Sequence, residues 1–191
     1  LVGLDMCIRD RAKGIASSYI PFGAVAVSAE INAPFEAGET HFVHGFTNAG
    51  HPLGCAAGCE LIDIIRDENL LENCRKQSEV LFSYREKLLA HPTVRDIRGW
   101  GLMMVLELIK DKESLEFFDD SLQAEKLYSA ITLKHGLVMY GSLYGPRRQA
   151  AFKRGIPSWL SPPLTITTDE MHDMVGRLDN ALTEWESIVL G

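Results

Sequence analysis

Ala12-Lys-Gly-Ile-Ala-Ser-Ser-Tyr-Ile-Pro-Phe-Gly-Ala-Val25 sets a single lysine among small and apolar neighbours. A lone lysine is ordinarily a solvated surface charge. Ala12, Gly14, Ile15 and Ala16 around Lys13 point instead to a sheltered turn. An amine withdrawn from water has a lowered pKa and can attack a carbonyl group to form a Schiff base. Beyond Pro21, residues 23–31 are almost continuously apolar and read as a short strand.

Residues 32–50 carry Gly, Pro, Asn and His and read as loop. The loop ends in His44-Gly-Phe-Thr-Asn-Ala-Gly-His-Pro52. Pro52 suits the first position of a helix, where its missing N–H would have no partner anyway. That helix is expected to run to about Arg66. Its first turns, 54–59, contain only small side chains, so another backbone is expected close by. A glycine-punctuated turn at a helix N-terminus, with the Thr47 hydroxyl as an added donor, can hold a phosphate. It can equally be an ordinary turn and cap.

His41, His44, His51, Cys55 and Cys59 crowd the same region. Cys55 and Cys59 would share one helix face. They raise a second reading, a non-catalytic zinc-binding or assembly module, although their spacing matches no common zinc motif.

In the second half, a helix is expected from Asn69 to about Ala90, stopped by Pro92, with Cys74, Leu81 and Leu88 repeating every seventh residue and Leu71 and Leu89 widening the stripe. Residues 94–98 and 102–109 read as strands around Gly99-Trp100-Gly101. Residues 122–135 read as a helix with Gly136 as its left-handed cap, and 137–140 as a strand. A long loop follows at 141–157, and Arg147, Arg148, Lys153 and Arg154 cluster within it. They form either a solvated basic patch or a clamp in which one guanidinium grips a carboxylate. A short extended piece is expected at 159–161. Thr167-Thr-Asp-Glu170 has the pattern of a capping box. Met171, Met174, Val175, Leu178, Leu182, Trp185 and Val189 then trace one face of a final helix.

The 191 residues are 46% hydrophobic and 24% charged, the balance of a globular protein. A net charge of −7 argues against binding nucleic acid or an anionic membrane through overall charge. No apolar run is long enough to span a bilayer, and no secretory signal is evident. Four cysteines are too sparse for a disulfide scaffold. A cytoplasmic protein with reduced thiols is expected. Residues 1–11, which include Met6-Cys7-Ile8-Arg9-Asp10-Arg11, are expected to be non-native, because they read like translated adapter sequence.

Four segments together carry a resemblance. Residues 12–25 resemble the segment bearing the cofactor lysine of class III pyridoxal-phosphate-dependent aminotransferases, the omega-transaminase type. Residues 44–52 are similar to that family's phosphate-contact loop, with Asn48-Ala49 where Tyr-Ser is commoner. Val94-Arg-Asp-Ile-Arg-Gly-Trp-Gly-Leu-Met103 resembles a turn of its C-terminal domain. Ser161-Pro-Pro-Leu-Thr-Ile-Thr167 resembles its substrate-side strand and the start of its last helix.

The resemblance implies an α/β chain forming the C-terminal part of an aspartate-aminotransferase-like fold. Residues 1–66 would be an edge of the large cofactor-binding domain, and 67–191 a small α+β domain. It implies pyridoxal 5'-phosphate as cofactor, Lys13 as the Schiff-base lysine and Thr47 on the phosphate, across the interface of a homodimer. Arg154 would bind a substrate carboxylate, though residues 143–153 depart from the commoner pattern. The reaction would move an amino group from an amine or omega-amino acid to a 2-oxo acid such as pyruvate or 2-oxoglutarate. Family members are more than twice as long. The chain is therefore expected to be an inactive fragment, without the Asp that pairs with the cofactor's ring nitrogen.

Overall fold

The computed structural model describes residues 8–11, 13–139 and 155–191. They form two compact units that meet in sequence between Asn69 and Leu70.

In the first unit β1 (Ile8–Arg11) pairs antiparallel with β2 (Ala24–Val27), Ile8 opposite Val27 and Arg11 opposite Ala24. The residues expected to be non-native thus include one strand of this ladder. A single 3₁₀ turn, Lys13–Ala16, lies between the two strands. The expected strand 23–31 ends early. Ser28 turns out of the strand and caps a helix, α1 (Ala29–Glu36), accepting the Ile31 N–H at 3.4 Å. The expected loop therefore begins with helix, even though Pro34 lies inside it.

α2 (Pro52–Asp67) starts on Pro52 as expected. What its small residues admit is a side chain, not a backbone. A Cβ at Gly58 would stand 2.8 Å from Phe22 Cε1, and one at Gly54 3.0 Å from Phe22 Cδ2. The Phe22 ring thus fits where only glycine leaves room.

The second unit opens with α3 (Leu70–Ser83) and α4 (Arg85–Leu89), interrupted at Tyr84 where one helix was expected. Leu81 and Leu88 are fully buried, Cys74 is half-buried, and Leu71 is exposed. β3 (Val94–Trp100), β4 (Met103–Leu108) and β5 (Ile156–Leu160) form an antiparallel sheet in the order β3-β4-β5. Gly101, at φ 60°, is the first central residue of the two-residue turn between β3 and β4, where a type II′ hairpin needs glycine. Alternation places Met104, Leu106 and Leu108 inward, opposite Leu160, Ser158 and Ile156. Val94 and Ile97 are both buried despite odd spacing, because the register shifts between Val94 and Asp96.

α5 (Ser121–Lys134) ends in a Schellman motif: Leu137 N–H donates to Thr132 O at 2.8 Å, Gly136 N–H donates to Leu133 O at 2.9 Å, and Gly136 has φ 78°. Residues 137–139 then join no strand, against expectation. The chain continues from a helix cap, and the sheet among the described residues contains only β3, β4 and β5. The last helix, α6 (Thr168–Val189), has the expected capping box. Its Met171, Val175, Leu178, Leu182 and Trp185 are completely buried against the inner sheet face and the helices α3 and α5. Trp185 donates from Nε1 to Ala124 O at 3.1 Å, and the rings of Tyr128 and Phe118 lie 5.2 and 5.3 Å away. Among the described residues no helix is long and apolar enough to cross a membrane.

Candidate active site

Lys13 opens the 3₁₀ turn with a backbone φ of 56°, in the left-handed region that L-residues seldom occupy. Ser17 and Ser18 just beyond it have φ of 47° and 62°. Three non-glycine residues in that conformation within six positions mark a backbone shaped around a particular arrangement. Nothing in the residue types of 13–18 announces this. Lys13 and Gly14 are exposed, Ile15 is half-buried and Ala16 is buried. The expected shelter therefore begins at the end of the turn and does not reach the amine.

Thr47 begins the turn 47–50, held by Ala49 N–H donating to Phe46 O at 2.9 Å and His51 N–H donating to Asn48 O at 3.3 Å. Its side chain is exposed, with no hydrogen-bond partner among the described residues. The turn leads directly into α2, which packs against the 3₁₀ turn of Lys13. The 3₁₀ turn that carries Lys13 thus touches the helix that follows the Thr47 turn. A primary amine can capture an aldehyde, and hydroxyl and N–H donors can hold a phosphate. This donor set fits a phosphorylated aldehyde cofactor.

The zinc reading fails. His41, His44, His51, Cys55 and Cys59 are all exposed, and no group of three or more metal-capable side chains converges among the described residues. His44 packs its ring against Phe42, with centroids 5.7 Å apart. Cys55 and Cys59 are free thiols on the exterior of α2.

In the second unit, two of the motif segments line one groove of about 1110 Å³. Trp100 comes from the end of β3 and Leu102 from the β3–β4 turn, Pro162 and Pro163 from the segment after β5, and Phe82 from α3. Asn73 fixes the second segment by donating from Nδ2 to Leu164 O at 2.7 Å and Ile166 O at 3.0 Å. Arg154, with Arg147, Arg148 and Lys153, lies outside the described residues.

The fold is that of part of a pyridoxal-phosphate-dependent transaminase. An (S)-enantioselective omega-transaminase from Thermomicrobium roseum superposes with a TM-score of 0.78 at 32% identity, over 94% of this chain and 37% of its own. The PMP-bound aminotransferase from Vibrio fluvialis gives 0.79 at 29% identity, over 96% of this chain and 38% of its own. In sequence, the aminotransferase class-III family matches residues 4–182, and the chain belongs to that family. It is 32% identical over 180 residues to the putrescine–pyruvate aminotransferase of Pseudomonas aeruginosa, covering 94% of this chain and 36% of that protein. The chain spans roughly a third of the length of the relatives it matches. Class III aminotransferases use pyridoxal phosphate as cofactor.

Proposed function

We propose that the chain is part of a pyridoxal-phosphate-dependent aminotransferase that moves an amino group from an amine or omega-amino acid to a 2-oxo acid such as pyruvate or 2-oxoglutarate. The observation that carries this reading is the match of residues 4–182 to the aminotransferase class-III family, in a chain whose Lys13 turn packs against α2. The putrescine–pyruvate relative supports an amine donor and an oxo-acid acceptor.

Bound pyridoxal phosphate would supply an aldehyde that accepts the amino group and a ring that draws electrons from the neighbouring carbon. Lys13 Nζ is the amine that anchors the cofactor. With the cofactor bound, the Lys13 amine would stand beside the reacting carbon, where it could take and return a proton. Its left-handed backbone fixes where that amine begins. The Thr47 hydroxyl would bind the phosphate of a cofactor held across the dimer interface. Arg154 pairs with the substrate carboxylate. The protein is proposed to work as a homodimer in the cytoplasm.

The test is Lys13→Ala in the longer protein that this reading implies. Turnover and the visible absorbance of the bound cofactor are both expected to disappear, because no other residue of the segment has a primary amine. Near-normal turnover would remove Lys13 from the reaction.

A further inference from the structure

We infer that His91 is a proton-held clamp between α6 and the turn joining α4 to β3, and that its arm to Asp179 opens when the imidazole loses a proton. The inference is independent of the proposed reaction. His91 Nδ1 lies 2.8 Å from Glu186 Oε2, and Nε2 lies 3.2 Å from Asp179 Oδ1. The imidazole is 11% exposed, and the carboxylates of Glu186 and Asp179 are 10% and 23% exposed. Ionised carboxylates only accept hydrogen bonds, so both ring nitrogens must carry hydrogen for both contacts to hold. Only the imidazolium satisfies that condition. It bridges two acids spaced seven residues apart on one face of α6.

The two arms differ. Glu186 also accepts from Thr93, through the backbone N–H at 3.1 Å and Oγ1 at 2.6 Å, and these bonds are buried. Asp179 is more exposed and has a second cation, with Lys87 Nζ at 3.0 Å. A neutral His91 can donate only once. The buried Glu186, with the shorter contact, keeps that hydrogen at Nδ1. The bare Nε2 then faces an Asp179 oxygen, acceptor against acceptor, and that contact separates while Lys87 retains Asp179.

The remaining charged group at the turn is Lys112, whose Nζ donates to Leu89 O at 2.6 Å and His91 O at 2.9 Å. It closes the turn from the other side and does not replace the Asp179 arm. The hydrogen bond with Glu186 raises the His91 pKa above its ordinary 6.5, burial opposes this, and Asp179 adds to the rise. Burial acts to raise the pKa of Asp179 and of Glu186. Their hydrogen bonds, from Lys87 and His91 to Asp179 and from His91 and Thr93 to Glu186, outweigh it and bring both below the ordinary 3.8 and 4.5. A raised histidine pKa stabilises the fold fully below the unfolded value and loses that contribution as pH rises through the folded value. The clamp is therefore whole below pH 6.5, the ordinary histidine value. It loosens on the alkaline side.

The experiment follows the imidazole nitrogens of the full chain by NMR from about pH 5.5 to about pH 9, across the range where histidine titrates. Both nitrogens of His91 should be protonated at the acid end, the midpoint should lie above 6.5, and the neutral form should keep its hydrogen at Nδ1. Asp179→Asn should lower the midpoint and leave the Nδ1 preference unchanged. In denaturant unfolding, the unsubstituted chain should lose stability as pH rises through the His91 midpoint, and His91→Gln should lose less over the same range. A His91 that is neutral at the acid end, a neutral form protonated at Nε2, or a midpoint indifferent to Asp179→Asn would each overturn the clamp. The titration of the unsubstituted chain decides the matter even where a variant fails to fold.

Discussion

The two units of the chain differ in where their apolar residues go. From Leu70 onward the large side chains close on one another: Trp185, Leu81, Leu106, Leu178 and Leu182 have no solvent exposure. Before Leu70, the only buried positions among the described residues are Ala16, Gly54 and Gly58. In that first unit Val43 is 95% exposed, Tyr19 90%, Phe42 73% and Phe46 68%. The second unit thus holds a core of its own, and the first holds a frame of backbone turns with its apolar side chains outside. Lys13 and Thr47, the residues proposed to hold the cofactor, both belong to the first. The core and the proposed site thus lie in different parts of the chain. A site needs a rigid surrounding to hold reacting groups in place, and the first unit does not supply one alone.

The contrast can be broken by substitution. Trp185→Ala should cost about 3–5 kcal/mol in denaturant unfolding of the chain, as truncating a large buried aromatic does. It removes the ring packed on Tyr128 and Phe118 and the indole hydrogen bond to the Ala124 carbonyl. A cost below about 1 kcal/mol, the ordinary scale of a single substitution, would mean the second unit is not held by this core. Thr167→Ala should cost ~1 kcal/mol by removing the acceptor for the Glu170 N–H in the capping box of α6. Helical circular dichroism should fall at a lower denaturant concentration by that amount. Val43→Ser in the first unit should change stability by less than about 0.5 kcal/mol, since the side chain it replaces already faces solvent. A large loss there would mean that Val43 is covered in solution.

The same division shows in how legible each unit is in the amino-acid sequence. In the second unit, local signals agree with tertiary packing. The capping box at Thr167, the buried stripe from Met171 to Trp185 and the cap at Gly136 each appear where the sequence puts them, while the turn expected at 99–101 falls at 101–102 because Gly99 and Trp100 pair within β3. In the first unit, Pro52 marks the start of α2 correctly. Other signals there compete. Residues 23–31 look like one strand by apolarity, yet Ser28 breaks the run and caps α1. The small residues of α2 announce a close neighbour but not that it is the Phe22 ring. The left-handed backbone at Lys13, Ser17 and Ser18 has no signature in residue type. The His91 clamp joins residues nearly a hundred positions apart, and no local pattern encodes it.

Hydrogen exchange along the intact chain tests the division most directly. The account predicts slow exchange at the amides of β4 and at those of α6 from Met171 to Trp185, with fast exchange through residues 13–66. Added pyridoxal phosphate is expected to leave this pattern unchanged, because the first unit buries only Ala16, Gly54 and Gly58 among its described residues and holds no core to fix a cofactor. Equal protection in the two units, or protection spreading over Lys13 and Thr47 when the cofactor is added, would contradict it.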